Sequence, residues 1–160
     1  LKLDHEWHMR QAIGLTANVP ELPFASVIVD RESGVTVATG WNKSKVNPTW
    51  HGEIDALNAL FRSGQASDAS ELVLYTTAEP CPMCMAAILW SGIQMVVFGT
   101  SIRFLQQHGW RQIDILAEEI ARRSPGWQCT IVGGVLEEEC NRLFVVGPPQ
   151  VARHSPDSGR

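Results

Sequence analysis

Two short segments of this chain carry residue types that bind metal and move protons: His51-Gly52-Glu53 and Pro80-Cys81-Pro82-Met83-Cys84. A Cys-x-x-Cys pair at the start of a helix places both sulfurs on one side, and the helix N-terminus favours the thiolates that zinc requires. His51 supplies an imidazole as a third ligand. Three protein ligands leave the fourth tetrahedral position of Zn²⁺ to water, whose pKa falls towards about 7, so the pattern points to a catalytic metal. Glu53, two residues beyond the histidine, can reach that water without binding the metal and is the candidate proton carrier.

Taken alone, Cys-x-x-Cys also fits a redox couple or half of a structural zinc site. Cys129 and Cys140 do not form a second pair with that spacing, and both alternatives leave His51-x-Glu53 without a role. The conjunction of His-x-Glu with Pro-Cys-x-x-Cys is the known signature of zinc deaminases.

Elements that position these residues follow from hydrophobic periodicity. Leu3, Trp7, Met9, Ala12 and Ile13 recur at helical spacing and predict a helix over 4–17, ended by Pro20 and Pro23. Runs of β-branched residues at 24–29 and 35–39 flank a polar turn with glycine and predict a hairpin. From residue 49 the pattern turns helical, with Ile54, Leu57, Leu60 and Phe61 on one face and Gly64 just past its end. A buried strand is expected at 72–75, a helix at 81–90, a strand at 95–98, a helix at 114–123, a strand at 128–132 and a helix at 136–144. Both halves of the candidate site thus open helices. Alternating strands and helices define an α/β fold with a mixed sheet covered by helices. The chain reads as one domain over 1–147 followed by a loose tail over 148–160.

At 160 residues with 44% hydrophobic content, the chain can bury a core. Its net charge of -4 argues against an extended phosphate-binding surface, so nucleic acid is not the expected partner. No apolar run approaches the roughly 20 residues of a membrane helix, and nothing before the cysteines reads as a secretory signal. Reduced thiols in the cytoplasm are the natural expectation.

From about residue 22 to residue 100, and more weakly to residue 144, the chain resembles the cytidine deaminase superfamily. The segment 23–29, Pro48-Thr49-Trp50-His51-Gly52-Glu53 and Glu79-Pro80-Cys81-Pro82-Met83-Cys84 are similar to the branch of guanine and tRNA adenosine deaminases. His-Gly-Glu, where that branch has His-Ala-Glu, also resembles fungal cytosine deaminase. The resemblance implies a three-layer α/β/α domain around a five-stranded sheet and a homodimer.

By position, the resemblance makes Asn42 a hydrogen-bonding partner of the base or its sugar, although an asparagine there also suits a turn. Gly52 lies where backbone groups meet the ring edge, Phe24 where an aromatic packs on its face, and Trp90 near the pocket of guanine deaminases. Phe24 equally suits the core, and Trp90 could seal the sheet. Guanine deaminases carry an acid after a Gly-Phe pair that assists proton transfer, whereas here Gly109-Trp110 is followed by Arg111-Gln112. Asp114 is the nearest acid, with Glu118 and Glu119 beyond, and a solvated helix face also accounts for them.

The expected function is hydrolytic deamination of a small amino-substituted heterocycle, a free nucleobase or nucleoside such as guanine or cytosine, with release of ammonia. Adenosine deamination in tRNA is the alternative, and a zinc-containing binding module without turnover is the second.

Overall fold

Alternation along the central strands assigns their side chains to two faces, and a helical layer covers each. The computed structural model describes residues 2–64 and 68–146; the proposed tail over 148–160 lies outside them. Strands β1 (Ala25–Asp30) and β2 (Thr36–Trp41) form the expected antiparallel hairpin. Strand β3 (Leu72–Ala78) pairs antiparallel with β1, and β4 (Met95–Thr100) and β5 (Thr130–Val132) extend the sheet in parallel. The order is β2-β1-β3-β4-β5, a mixed five-stranded sheet.

All seven residues of β3 are buried. Val73 and Tyr75 pack with Met9 and Ala12 of α1 (His5–Leu15) and Cys140 of α6 (Glu137–Phe144). Leu72 and Leu74 point the other way, to Ala56 and Leu60 of α2 (Gly52–Ser63) and Met85 and Ile88 of α3 (Pro82–Ser91). This two-sided burial makes the fold a three-layer α/β/α domain. Among the described residues no helix is long and apolar enough to cross a membrane.

Helix ends follow local chemistry. Asp4 caps α1 by accepting from the Trp7 N–H at 3.0 Å, and left-handed glycines, Gly64 (φ 69°) and Gly92 (φ 87°), terminate α2 and α3. Two expectations need correction. The helix expected over 114–123 is α5 (Ala117–Arg122), because residues 111–116 form a loop, and an unanticipated α4 (Ile102–Gln107) precedes it. The last strand is likewise shortened, to three residues.

The end of β2 runs against the first turn of α2. A Cβ on Gly40 would sit 2.6 Å from the Gly52 carbonyl oxygen and 2.8 Å from the Asp55 carbonyl carbon, both backbone. Gly40→Ala therefore forces β2 away from α2 and costs about 3 kcal/mol, seen as a lower urea midpoint at unchanged slope.

Candidate metal centre and its cavity

Each half of the site is held at a helix N-terminus. His51 and Cys81 are the N-cap residues of α2 and α3, in extended backbone, and their carbonyls accept the first helical bonds, from the Asp55 N–H at 2.9 Å and the Met85 N–H at 2.8 Å. Pro82 at the first helical position has the φ the helix needs and no N–H to strand. Cys84 lies one turn into α3, fully buried. Strand β3 delivers the cysteines, and β2 with the following loop delivers the histidine.

The three side chains converge. His51 Nδ1 is 3.5 Å from Cys81 Sγ and 3.6 Å from Cys84 Sγ, and the ligand atoms all lie within 4.8 Å of one another. Two sulfurs and an imidazole nitrogen at this spacing fit one zinc ion. Their protonation is already divided. A hydrogen bond from Cys84, aided by His51, holds the Cys81 thiol down at about 4, against the effect of burial. The bond to Cys81 and burial push the Cys84 thiol up, and the bond to Cys81 raises His51. At pH 7 Cys81 is thus a thiolate, whereas Cys84 must give up its proton to coordinate. Zinc uptake by the metal-free protein therefore releases the Cys84 proton, and affinity falls as pH is lowered from 7 to 5. Calorimetric titrations in buffers of different ionisation enthalpy measure that release.

Glu53, in the first turn of α2, is 5% exposed and accepts a long hydrogen bond from Thr76 Oγ1 at 3.4 Å. Burial pushes its carboxyl up, and the neighbouring Cys81 charge adds to this. A carboxyl raised in this way holds a proton more readily than an exposed glutamate, as a group that takes and returns one requires.

A cavity of about 230 Å³ opens onto His51, Glu53 and Cys81. Phe24 and Asn42 line it as expected. Phe24 also belongs to an aromatic cluster, 5.4 Å from Trp110 edge-on and 4.9 Å from Phe144. Asn42 Oδ1 accepts from both the N–H and the hydroxyl of Ser44, at 3.0 and 2.7 Å, so its amide NH₂ is the end left to donate.

Three expected residues lie elsewhere. Gly52 starts α2 against the Phe24 backbone, where a Cβ would come within 2.7 Å of the Phe24 carbonyl oxygen. Trp90 is 77% exposed on the outer side of α3, 5.0 Å from Trp127. Asp114 accepts from Gln106 Nε2 at 3.2 Å outside the cavity. Trp110, Arg111, Gln112 and Glu79 line the cavity instead. Glu79 is buried, and its two oxygens accept the N–H groups of Ile102 and Ala117, each at 2.9 Å, which fixes the first residues of α4 and α5. Its place beside Pro80-Cys81 gives it the look of a motif residue, and only the chain path reveals its role as an anchor.

A three-layer domain that gathers His51, Cys81 and Cys84 beside a buried glutamate, at the N-termini of two adjacent helices, has the architecture of a zinc-binding hydrolase. Residues 2–100 match the family described as the cytidine and deoxycytidylate deaminase zinc-binding region, and the chain belongs to that family. It is accordingly an enzyme that hydrolyses C–N bonds.

The chain is 30% identical to the guanine deaminase of Bacillus subtilis over 142 residues, covering 81% of this chain and 88% of that enzyme. It is 42% identical to the tRNA-specific adenosine deaminase of Haemophilus influenzae over a shorter stretch, 51% of this chain and 47% of that enzyme. Among solved structures, guanine deaminase from Nitrosomonas europaea superposes with a TM-score of 0.75 at 25% identity, covering 86% of this chain and 81% of that one.

Proposed function

We propose that this enzyme binds zinc through His51, Cys81 and Cys84 and hydrolyses the amino group from a small heterocycle, a free nucleobase or nucleoside such as guanine or cytosine. The observation that carries this is the opening of one small cavity onto both the ligand set and the Glu53 carboxylate. Its volume of about 230 Å³ lies below the roughly 300–1,000 Å³ of drug-sized sites and suits a single base. Similarity to the Bacillus guanine deaminase and to a probable cytosine deaminase of Schizosaccharomyces pombe supports the substrate class.

The bound ion supplies the Lewis acidity that makes a water molecule nucleophilic near neutral pH. Glu53 takes one proton from the attacking water and passes it to the ring nitrogen, then takes the second from the hydroxyl added to the ring carbon and gives it to the amine, which leaves as ammonia as the carbonyl forms. Asn42 donates its NH₂ to an acceptor on the ring edge, while Phe24 and Trp110 hold the ring face and exclude water. Without an acid from Asp114 in the cavity, the proton relay falls on Glu53.

Ammonia release from zinc-loaded protein tests the reading against guanine, adenine, cytosine, their nucleosides and a tRNA anticodon stem-loop, with Glu53→Ala as blank. Turnover of a free base or nucleoside supports it; turnover of the RNA alone replaces it with the tRNA reading, and silence on all favours a binding module. The identity to the Haemophilus tRNA enzyme favours that second reading, but among the described residues Arg111 is the only lysine or arginine lining the cavity, and the net charge is -4.

Two further expectations belong to the same reading. Thiolate ligation requires reduced cysteines, which supports a cytoplasmic setting. The resemblance implies a homodimer, and the exposed Trp90–Trp127 pair offers an aromatic surface for it. Trp90→Glu then shifts the sedimentation coefficient from dimer to monomer.

A further inference from the structure

Asp55 is a buried carboxylate, 7% exposed, for which the reaction has no use. It sits in the first turn of α2, and its backbone N–H donates to the carbonyl of the candidate ligand His51. Its side chain accepts from three residues: the Trp41 N–H at 3.1 Å, Lys43 Nζ at 2.8 and 2.6 Å, and Trp50 Nε1 at 2.9 Å. Trp41 and Lys43 flank Asn42, and Trp50 precedes His51. The Lys43 ammonium lies 4.7 Å from the Trp41 ring centre and 5.3 Å from that of Trp50, and the Lys43 N–H donates to the Trp50 carbonyl at 2.9 Å. The segment from Asn42 to His51 is therefore closed on itself, with both ends tied to one carboxylate on the helix that carries Glu53.

We propose that Asp55 is a positioning residue, a clamp on Trp41, Lys43 and Trp50 that holds Asn42 and His51 in a fixed relation to Glu53. The purpose of the clamp rests on the zinc deaminase reading; its geometry does not. Asp55 does not line the cavity and touches no reacting group. A pair that served stability alone could be exchanged for apolar residues at little cost. Here the carboxylate also satisfies the Trp41 and Trp50 N–H donors, which apolar residues cannot do.

The test compares full-length wild type, Asp55→Asn and the double variant Lys43→Met/Asp55→Leu. In Asp55→Asn, amide hydrogen exchange over residues 41–51 accelerates selectively. The zinc dissociation constant, measured by competition with a chromophoric chelator, rises about 10-fold or more, as for other supporting partners of metal ligands. In the double variant, which removes the ion pair as a whole, exchange and zinc affinity stay altered, since the Trp41 and Trp50 N–H donors still lack their acceptor. The proposal is overturned if Asp55→Asn leaves both unchanged, or if the double variant restores both. Should wild type bind zinc but release no ammonia from any substrate, the deaminase reading fails while the affinity shift still decides the clamp. Should it bind no zinc, exchange over 41–51 decides alone.

Discussion

Glu53→Gln gives a folded, zinc-loaded protein whose kcat for ammonia release is about 10³- to 10⁴-fold below wild type. The upper part of the range usual for a general acid–base residue applies because one carboxylate carries every proton transfer in the proposed mechanism. Glutamine keeps the shape and the contact with Thr76 but cannot accept a proton from water. Metal analysis beside the rate measurement separates the roles: full zinc with lost turnover identifies a proton carrier, and lost zinc makes Glu53 a support of the ligands. In zinc-free protein the same substitution raises stability at pH 8. Burial lifts the Glu53 carboxyl above its ordinary value near 4.5. Stability from this group is therefore full below about pH 4.5 and is lost as pH rises through the raised value. Glutamine escapes that loss, so the urea midpoints of variant and wild type converge as pH is lowered towards 4.5.

Cys84→Ser abolishes metal binding and activity together, with zinc content falling below about one-tenth of wild type. A serine hydroxyl does not ionise at neutral pH and binds zinc poorly, so two of the three candidate ligands remain when fully buried Cys84 is replaced. Zinc then no longer raises the melting temperature of the variant, as it does for wild type. Cys129→Ser keeps its zinc, because Cys129 lines a different cavity and stands outside the His51, Cys81 and Cys84 group.

The convergence of His51, Cys81 and Cys84 was legible because both halves are local motifs with geometry supplied by a helix start. Strands β1 and β2 were equally plain from β-branched runs, whereas β3 runs three residues beyond the expected 72–75. Helix α4 was missed because Ile102–Gln107 is too short to show a period; the Ser101 cap, which accepts from the Phe104 N–H at 3.1 Å, was the available signal. Trp90 could not be assigned a face, since α3 is apolar on nearly every side and only packing selects which one is buried. Asp114 depended on the path of the chain after Trp110, which no periodicity encodes. Asp55 reads as an ordinary charged residue in a first helical turn, and its partners appear only when β2 and the 42–51 loop fold over it.

The bonds from Ile102 and Ala117 to Glu79 bear on how such an enzyme can change its diet. Every residue charged here with chemistry comes from the N-terminal turns of α2 and α3, whereas Trp110, Arg111 and Gln112 come from a stretch suspended between two helices pinned to one carboxylate. That stretch is a cassette. Exchanging it leaves its attachment points and the reactive groups untouched, so the menu of rings can be rewritten while the catalytic engine is inherited whole.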